Sequence, residues 1–435
     1  MSSLWFDETP PRKANTLAAD LTCDIAIIGG GICGISAAYA LAKRGRRVAV
    51  FERGRLGEGS TGYSGGFLAA STTHDAHVFV DRYGIEIAKL IFAAIHDAVD
   101  NMRQIAEQER IACDFTQTGS LYCAAEPSHE AIVRKEAGIL QSFGYAQELF
   151  EAADPRIPVK GVFASLYTPT DCAFNPLAFL HGVADVITRL GGSIYTDTPI
   201  VKVNDVPNGV ELVTADGLRI RAQKSICAVS SWPRTQYADA AAKRACVPVL
   251  SRIVVTDPVP HIAAQWRGEL IWDTYDVYHY LRLLKDGRVM VGGEDRWFGS
   301  PALHGKTVKQ SYYTDRIIKK LEQYFPDMHF SVQRSWSGYL AYPLDGLPLI
   351  ASRKQRISVI TDGLPFGWLI GAIAAGEALG EHSPLQTYFD AQRDFGVSKN
   401  AFLRLPMPKS AQRFALKAAI ALERLRDETD KLFQY

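Results

Sequence analysis

The chain has 435 residues, which is enough for two modest domains with a sizeable hydrophobic core. Its 48 basic and 47 acidic residues give a net charge of +1, so charge offers no reason to expect a nucleic-acid partner. Hydrophobic residues make up 47% and charged residues 22%, as in an ordinary soluble globular protein, and the longest apolar run (368–375) is too short to span a bilayer.

The amino terminus and the cysteines favour a cytoplasmic protein. The first residues include Asp7, Glu8 and two prolines and contain no apolar segment of the kind found in signal peptides. The seven cysteines form no CxxC pair and no metal-ligand spacing, and an odd number does not suit a disulfide framework. We therefore expect reduced, buried thiols in the cytoplasm.

Residues 23–52 predict a complete βαβ unit. Residues 24–28 form a short apolar strand, residues 32–44 a helix that Gly45 ends, and residues 47–51 a second apolar strand. Three glycines in the spacing GxGxxG lie between the first strand and the helix. This order of strand, glycines, helix and strand predicts a dinucleotide-binding site.

The expected contacts of that site come from the βαβ unit and from the loop after it. One glycine makes a tight turn, the second lets the backbone approach a pyrophosphate, and the third lets helix and strand pack closely. Glu52 ends the second strand, where a carboxylate accepts hydrogen bonds from a ribose. Residues 53–66 are too rich in glycine for a helix or strand, and such a backbone can lie flat against a bulky planar ligand. The predicted contacts are Gly29, Gly31, Ile32, Cys33, Gly34, Glu52, Arg53, Ser60, Thr61, Ser64, Gly65 and Gly66.

The next segment leaves the nucleotide-binding pattern. An apolar stripe at helical spacing predicts a helix over 82–110, and a second helix is expected near 130–143, with a strand pair between them. A helix-cap and turn role is favoured over a metal cluster for His74, Asp75 and His77, because no further ligands follow at a matching spacing.

The middle of the chain returns to alternating helix and strand. Asn175 and Pro176 read as a cap followed by a first-turn proline, and they begin a helix that runs to Leu190. A strand is expected over 193–203, and a buried strand over 225–230.

Strands dominate from 247 to 328, and their pattern predicts an antiparallel sheet with one solvated face. Near the end, a strand is expected over 357–361, a tight turn over 362–367 and a helix over 368–379.

Four stretches carry a family resemblance: the glycine loop, the sequence WSGYLAYPLDGLPLI at 336–350, the segments 276–282 and 287–294, and the leader at 3–6 with its two following prolines. On these the chain resembles the glycine/D-amino-acid oxidase (DAO) family of flavoproteins. It is most similar in pattern to the amine-oxidising, γ-glutamylputrescine oxidase-like branch. The resemblance spans roughly residues 3 to 395.

The resemblance implies an α/β fold in which a Rossmann-like FAD-binding domain is interleaved with an α+β substrate domain built on an antiparallel sheet. The expected FAD-binding domain covers 1–80, 151–235 and 335–400, the substrate domain covers 81–150 and 236–334, and a helical tail covers 401–435.

The resemblance also implies FAD as the cofactor, and we expect it to be non-covalent. Relatives with covalent flavin use a histidine in the early glycine loop or a late cysteine. This chain has no histidine between Phe51 and Thr73 and no cysteine after Cys246. The late helix N-terminus would point N–H groups at the flavin's pyrimidine oxygen, where negative charge develops. It adds to the predicted cofactor contacts Gly363, Gly367 and Trp368.

The implied reaction is oxidation of a C–N bond, in which FAD accepts a hydride from the carbon beside an amine and water hydrolyses the imine. Tyr278 and Tyr280 share one face of a strand, and Tyr280 matches the family's active-site tyrosine; a place in the core is the alternative for both. Amino-acid-oxidising relatives carry an arginine at the position of Leu340 to bind the substrate carboxylate, and neither Arg282 nor Arg334 has that spacing. An amine, or an amino acid held differently, is therefore expected as the substrate.

Other functions stay open. One is a nicotinamide-dependent dehydrogenase, which the glycine loop disfavours, and another is a flavin-binding protein that acts through its tail. The electron acceptor, oxygen or another, is open because the strand near Val289 lacks the lysine that sarcosine-oxidising relatives use. Residues 410–433 have an amphipathic helical pattern with a small net charge, which favours docking on the chain or on a second subunit of a homo-oligomer over membrane binding. We expect no metal, nucleic-acid partner or transmembrane segment.

Overall fold

The computed structural model describes residues 2–70, 75–230, 239–275, 278–297 and 312–393. Its α-helices are Leu4–Glu8, Ile32–Ala42, Ala76–Tyr83, Ile85–Gln108, Glu130–Phe143, Pro176–Arg189, Ala240–Arg244, Ile262–Gln265, Tyr312–Tyr324, Leu364–Ala378 and Gln386–Phe389. Short 3-10 helices span Ser60–Tyr63 and Pro127–His129. No helix within these described ranges is long and apolar enough to cross a membrane.

The first sheet contains the predicted βαβ unit. Its strand Leu21–Ile28 pairs in parallel with Val48–Phe51 on one side and with Arg219–Cys227 on the other, and Ile32–Ala42 connects the first two strands. In spatial order its strands are Ile200–Val206, Gly209–Thr214, Arg219–Cys227, Leu21–Ile28, Val48–Phe51 and Ser193–Tyr195, while Arg356–Ile360 pairs with Arg219–Cys227 and carries Leu349–Arg353.

The second sheet is antiparallel apart from one parallel pair, Leu270–Asp273 with Ser120–Cys123. In spatial order its strands are Val332–Pro343, Cys246–Thr256, Val289–Trp297, Tyr280–Leu283, Leu270–Asp273, Ser120–Cys123, Ala164–Thr168 and Glu148–Glu151. A small third sheet joins Phe67–Leu68, Cys172–Ala173 and Thr116–Gln117. The predicted α/β fold with an interleaved antiparallel part is confirmed.

Two strands of the second sheet come from segments that were predicted to belong to the other domain. Ala164–Thr168 and most of Val332–Pro343 belong to segments that the sequence assigned to the FAD-binding domain. They join the second sheet through pairing with distant strands, Ser120–Cys123 and Cys246–Thr256 respectively. The division into domains stays a prediction, and the predicted tail at 401–435 lies outside the described residues.

The helix predicted over 82–110 is two helices in the structure. Ala76–Tyr83 and Ile85–Gln108 are separated by Gly84, whose φ of +82° lies outside the helical region and suits glycine. The predicted apolar stripe lies within Ile85–Gln108, so the prediction missed the preceding helix and the break at Gly84.

The late helix begins at Leu364, so the turn predicted over 362–367 is largely the first turn of that helix. Pro365 lies there without cost, because a first-turn residue has no helical acceptor for its N–H. Leu364–Ala378 packs closely on Ile32–Ala42: a Cβ added at Gly371 would lie 2.3 Å from the carbonyl oxygen of Cys33. This approach brings the N-termini of the two helices to one place.

Candidate active site

A large cavity is lined by residues of both main sheets. Its volume is about 1320 Å³, above the roughly 300–1,000 Å³ of most small-molecule sites, so it has room for a long cofactor and a substrate. We name its two ends by their lining. The nucleotide end is lined by Gly29, Gly31, Ile32, Cys33, Glu52 and Arg53. The substrate end is lined by Ser251, Tyr278, Tyr280, Asp295, Leu340, Tyr342 and Asp362.

Most of the predicted cofactor contacts line this cavity. They are Gly29, Gly31, Ile32, Cys33, Glu52, Arg53, Ser60, Thr61, Ser64, Gly65, Gly66 and Gly363. Gly34 does not line it; a Cβ at Gly34 would lie 2.0 Å from the carbonyl oxygen of Gly29, so this glycine allows helix–strand packing. Gly367 packs against Ile32, where a Cβ would lie 2.5 Å from a side-chain carbon, and Trp368 is a core residue with 3% exposure.

The N-terminus of Ile32–Ala42 faces the nucleotide end. Gly31 is its N-cap with φ −84° and ψ −175°, a conformation that any residue can adopt. A Cβ added at Gly31 would meet one atom within 4 Å, Oγ1 of Thr61 at 3.3 Å. The position is therefore open toward the cavity, as the approach of a pyrophosphate to the backbone requires.

Glu52 is fixed at the end of its strand by backbone donors. Its Oε2 accepts a hydrogen bond from the N–H of Gly30 at 2.8 Å, and its Oε1 accepts one from the N–H of Gly54 at 3.1 Å. Burial raises the pKa of Glu52, and the two backbone donors act in the opposite direction. Each carboxylate oxygen keeps a second lone pair, so Glu52 can still accept hydrogen bonds from ribose hydroxyls.

The hydroxyls of the glycine loop bind within the protein. Ser60 donates to the carbonyl of Tyr339, Ser64 donates to the carbonyl of Thr61 at 2.8 Å, and Oγ1 of Thr61 accepts from the N–H of Ile32 at 3.0 Å. These three side chains line the cavity, and their hydrogen bonds hold the loop in shape. Their contact with a ligand stays a prediction.

Arg282 holds the same loop from behind and does not line the cavity. Its Nη1 donates to the carbonyls of Gly65 and Gly66, each at 3.1 Å, and to that of Phe174 at 2.7 Å. Its guanidinium also lies 5.2 Å from the ring centroid of Trp5. Burial lowers the pKa of Arg282 to about 10. We therefore describe it as a positioning residue for the glycine loop.

Both predicted tyrosines line the substrate end. The ring centroids of Tyr278 and Tyr280 are 5.9 Å apart, and Tyr280 also packs edge-on against Phe67 at 5.3 Å. The hydroxyl of Tyr280 lies 3.3 Å from Oγ of Ser251. Tyr278 is 36% exposed although protein atoms surround it, because the cavity that it lines is wide. Burial raises the pKa of both hydroxyls, so they stay protonated at neutral pH.

Asp295 is a carboxylate of the substrate end that sequence reasoning missed. Asp295 lies near the end of the strand Val289–Trp297. Gly293 (φ +147°) and Glu294 (φ +53°) interrupt its regular alternation beside a register shift against Cys246–Thr256. Burial raises the pKa of Asp295 to about 6. The paired glycines before it were the available signal, because glycine within a strand often marks a bulge.

Asp362 is the second carboxylate there, and it comes from the first sheet. It follows Arg356–Ile360 and directly precedes Gly363, the N-cap of the late helix. Burial raises the pKa of Asp362 to about 7, and the charge of Asp295 acts in the same direction. Leu340 lines the same end, at the position where amino-acid-oxidising relatives are expected to carry an arginine. Arg334 lies elsewhere and pairs with Asp7.

Asp75, His77 and Glu136 meet at another part of the cavity wall. The carboxylate of Glu136 accepts from the backbone N–H groups of Ala76 at 2.5 Å and of His77 at 3.2 Å, so it caps Ala76–Tyr83. Nδ1 of His77 lies 3.2 Å from Glu136, and the hydroxyl of Tyr122 donates to Asp75 at 3.0 Å. Glu136 is the capping side chain, and the ligand atoms of Asp75, His77 and Glu136 lie within 4.8 Å of one another, so Glu136 is a further potential metal ligand that spacing along the sequence did not reveal. The cap-and-turn role stays a prediction, and His74 lies outside the described residues.

Comparisons with known proteins agree with this geometry. The family model described as DAO, FAD dependent oxidoreductase, matches residues 24–380. Gamma-glutamylputrescine oxidoreductase of Escherichia coli (strain K12) is 25% identical over 342 residues, which cover 77% of each chain. Glycine oxidase of Bacillus licheniformis is 24% identical over 349 residues, covering 78% of this chain and 86% of the relative. The crystal structure of glycine oxidase from Geobacillus kaustophilus has the same fold, with a TM-score of 0.72, 18% identity, and coverage of 86% of this chain and 100% of that one.

The chain belongs to the FAD-dependent oxidoreductase (DAO) family, because the family model covers most of its length. It is an FAD-dependent oxidoreductase, and a nicotinamide-dependent alternative is not favoured. FAD, the predicted cofactor, is confirmed by the family model, and its non-covalent attachment stays a prediction. The residues present fit that cofactor: Gly31 is open to the cavity, Glu52 retains acceptor capacity, and the glycine loop is held by protein donors.

Proposed function

We propose that this member of the FAD-dependent oxidoreductase family oxidises an amine that has no carboxylate on the reacting carbon. The observation that supports this choice is the lining of the substrate end. It contains Leu340 where an arginine would bind a substrate carboxylate, and two carboxylates, Asp295 and Asp362, that would repel one. Amino-acid substrates would therefore bring a negative charge into an already acidic place.

Bound FAD supplies the hydride acceptor, and the chain's own residues bind, orient and desolvate the reactants. Arg282 and the loop hydroxyls hold the glycine loop in one shape, so that a planar ligand can lie against it. We propose Tyr280 and Tyr278 as the wall that the substrate contacts, because both line the substrate end and Tyr280 adjoins the glycine loop: a Cβ at Gly65 would lie 3.2 Å from its ring.

The late helix contributes a favourable field at this end. Gly363, Leu364, Pro365 and Phe366 line the cavity at the N-terminus of Leu364–Ala378. The positive end of the helix dipole therefore favours negative charge in the adjoining part of the cavity. We propose this terminus as a contact of the cofactor's ring system.

The amine proposal is tested by matched pairs of compounds. Isobutylamine and valine, in both its D and L forms, share a side chain and differ by the carboxylate. We expect anaerobic loss of the flavin absorbance band with the amine to be at least about tenfold faster, because an unpaired carboxylate in this site costs more than 1.4 kcal/mol. Equal or faster reduction by either form of valine would contradict the proposal.

The acceptor, location and assembly of the enzyme also belong to this proposal. Parallel assays of peroxide release and dye reduction distinguish oxygen from another electron acceptor. We propose a cytoplasmic enzyme and a homo-oligomer, which cell fractionation and size-exclusion chromatography test directly.

A further inference from the structure

The charged side chains that line the substrate end are acidic. Asp295 and Asp362 come from different sheets and both line it. Among the described residues that line the cavity, the lysines and arginines are Arg53, at the nucleotide end, and Lys135, which lies 3.6 Å from Asp81. The two carboxylates thus have no basic side chain beside them in the described cavity wall.

Nearby cations are engaged behind that wall. Arg252 donates through Nη1 to the carbonyl of Glu294 at 2.8 Å, and its guanidinium lies 3.9 Å from the ring centroid of Tyr313. His279 contacts Asp273 at 3.0 Å. The charges of both side chains act to lower the pKa of Asp295, against the effect of burial, but neither side chain lines the cavity.

One carboxylate oxygen of Asp295 also accepts no hydrogen bond from the described residues. Its Oδ1 is buried and has no hydrogen-bond partner among the described residues, while Ser251 hydrogen-bonds the carboxylate. A buried carboxylate oxygen without a donor is costly, and such groups in native proteins call for a specific explanation. A ligand that brings N–H donors and a positive charge into the cavity supplies one.

The surrounding side chains suit an ammonium group. Asp295, Asp362, Tyr278 and Tyr280 all line the substrate end, and the charges of both carboxylates raise the pKa of both tyrosine hydroxyls. Tyrosine rings attract cations through their faces, and carboxylates accept the strong hydrogen bonds of an ammonium. The pair of carboxylates and the pair of tyrosines therefore make one cation-binding surface beside the glycine loop.

We propose that Asp295 and Asp362 are the counter-charges that bind the substrate's ammonium group at the substrate end, so that the enzyme selects cationic amines. This inference rests on the proposed function and gives its substrate a charge state. In a site for amino acids, an arginine would bind the carboxylate of the substrate. Here two carboxylates, Asp295 and Asp362, would instead bind its ammonium group.

The same pair gives the ammonium proton a destination. An amine can lose a hydride from its carbon only when its nitrogen has a lone pair. On transfer, the N–H bond breaks and leaves its electrons on nitrogen, and the proton forms an O–H bond with a carboxylate oxygen. No oxidant is needed for this step. Burial raises the pKa of Asp295 to about 6 and that of Asp362 to about 7, so either carboxylate takes up a proton at a lower free-energy cost than an exposed carboxylate does.

The test uses an ammonium that cannot react. The carbon that carries nitrogen in tert-butylammonium has no hydrogen, so binding can be followed on the FAD-containing enzyme without turnover. tert-Butanol is a neutral analogue of the same shape, and pivalate is the corresponding carboxylate. Titrations follow the change in the flavin absorbance spectrum. We expect tert-butylammonium to bind at least about tenfold more tightly than tert-butanol, and pivalate more weakly than either.

Variants assign the effect to the two residues. Asp295→Asn and Asp362→Asn keep the shape of the side chain and remove its charge, and each should raise the Kd of tert-butylammonium at least about tenfold. Asp216→Asn is the matched control, because Asp216 lies in an exposed Asp-Gly turn that Asn-Gly preserves. Flavin content and thermal unfolding verify that each variant is folded. The comparison of tert-butylammonium with tert-butanol on the unmodified enzyme needs no variant.

The outcomes separate this inference from the proposed function. Kd values within twofold of the unmodified enzyme in both Asn variants, or pivalate binding more tightly than tert-butylammonium, would overturn the inference. If amines reduce the flavin in that case, the proposed function stands alone. If tert-butylammonium binds through the pair but no amine reduces the flavin, the cation site stands and the proposed function fails.

Discussion

Replacing Gly31 by valine should remove FAD while leaving the fold intact. The backbone at Gly31 has φ −84° and ψ −175°, so valine introduces no backbone strain. A Cβ there meets one protein atom, Oγ1 of Thr61 at 3.3 Å, which a small rotation can relieve. The added methyl groups instead occupy the space through which a phosphate reaches the backbone. A hydrogen bond from a backbone N–H to a charged phosphate contributes about 1.5–3 kcal/mol, so losing one weakens FAD binding roughly 10- to 100-fold.

The assay compares flavin content, the Kd of added FAD by fluorescence quenching, and unfolding of the apo-protein by circular dichroism. Gly138→Val is the control for a glycine-to-valine change, since Gly138 is exposed and a Cβ there meets no atom within 4 Å. Gly34→Val should instead impair folding, because a Cβ there lies 2.0 Å from the carbonyl oxygen of Gly29. Full flavin content and an unchanged Kd in Gly31→Val would refute the assignment of this position to the pyrophosphate.

Three further predictions concern the substrate end and the glycine loop. Tyr280→Phe removes the hydroxyl that lies 3.3 Å from Ser251 and should lower kcat/KM by about 2- to 10-fold with flavin still bound; unchanged kinetics would make Tyr280 a structural residue. Arg282→Met removes the donor shared by three carbonyls and should destabilise the protein by about 2–4 kcal/mol and reduce its flavin content, and an unaltered Tm would contradict its positioning role. Asp362→Asn should stabilise the ligand-free enzyme at pH 8: the folded pKa of Asp362, about 7, is above its ordinary 3.8, so its charge destabilises the fold above pH 7 by at most about 4 kcal/mol. This advantage should shrink as the pH falls from 7 toward 4, and equal Tm values for both proteins at pH 8 would refute it.

The nucleotide end could be predicted because its signals are local in sequence. The strand, three glycines, helix and second strand lie within residues 23–52, and the structure has them in that order. Local signals also gave the helix Glu130–Phe143 and the cap of Pro176–Arg189, where Asn175 accepts from the N–H groups of Leu177 and Ala178. In each case the pattern and its physical cause lie within a few turns of chain.

The substrate end could be predicted only in part, because tertiary pairing creates it. Alternation predicted that Tyr278 and Tyr280 share a face of one strand; both line the cavity, although the strand begins at Tyr280 and Tyr278 precedes it. Asp295 lies in a strand of the second sheet and Asp362 follows a strand of the first, and nothing in the sequence between them indicates that they line one cavity. The bulge at Gly293 and Glu294 directs Asp295, and a bulge shifts the face of every residue after it. The start of the late helix was predicted four residues too late, because Leu364–Ala378 includes Pro365 in its first turn.

The position of the buried arginine Arg282 distinguishes this site from one that binds amino acids. A carboxylate substrate needs a positive side chain inside the cavity, and here the buried arginine nearest to the glycine loop, Arg282, is used to hold that loop from behind. Within the described lining, the substrate end has Leu340 in place of a cation and has Asp295 and Asp362 in place of neutral walls. Burial makes both carboxylates costly to ionise, so in the ligand-free enzyme they reduce stability. The charge of a cationic ligand favours the ionised form of both carboxylates and so offsets the free-energy cost of ionising them. The destabilisation of the ligand-free enzyme is therefore relieved when an ammonium binds, and this relief contributes to its affinity.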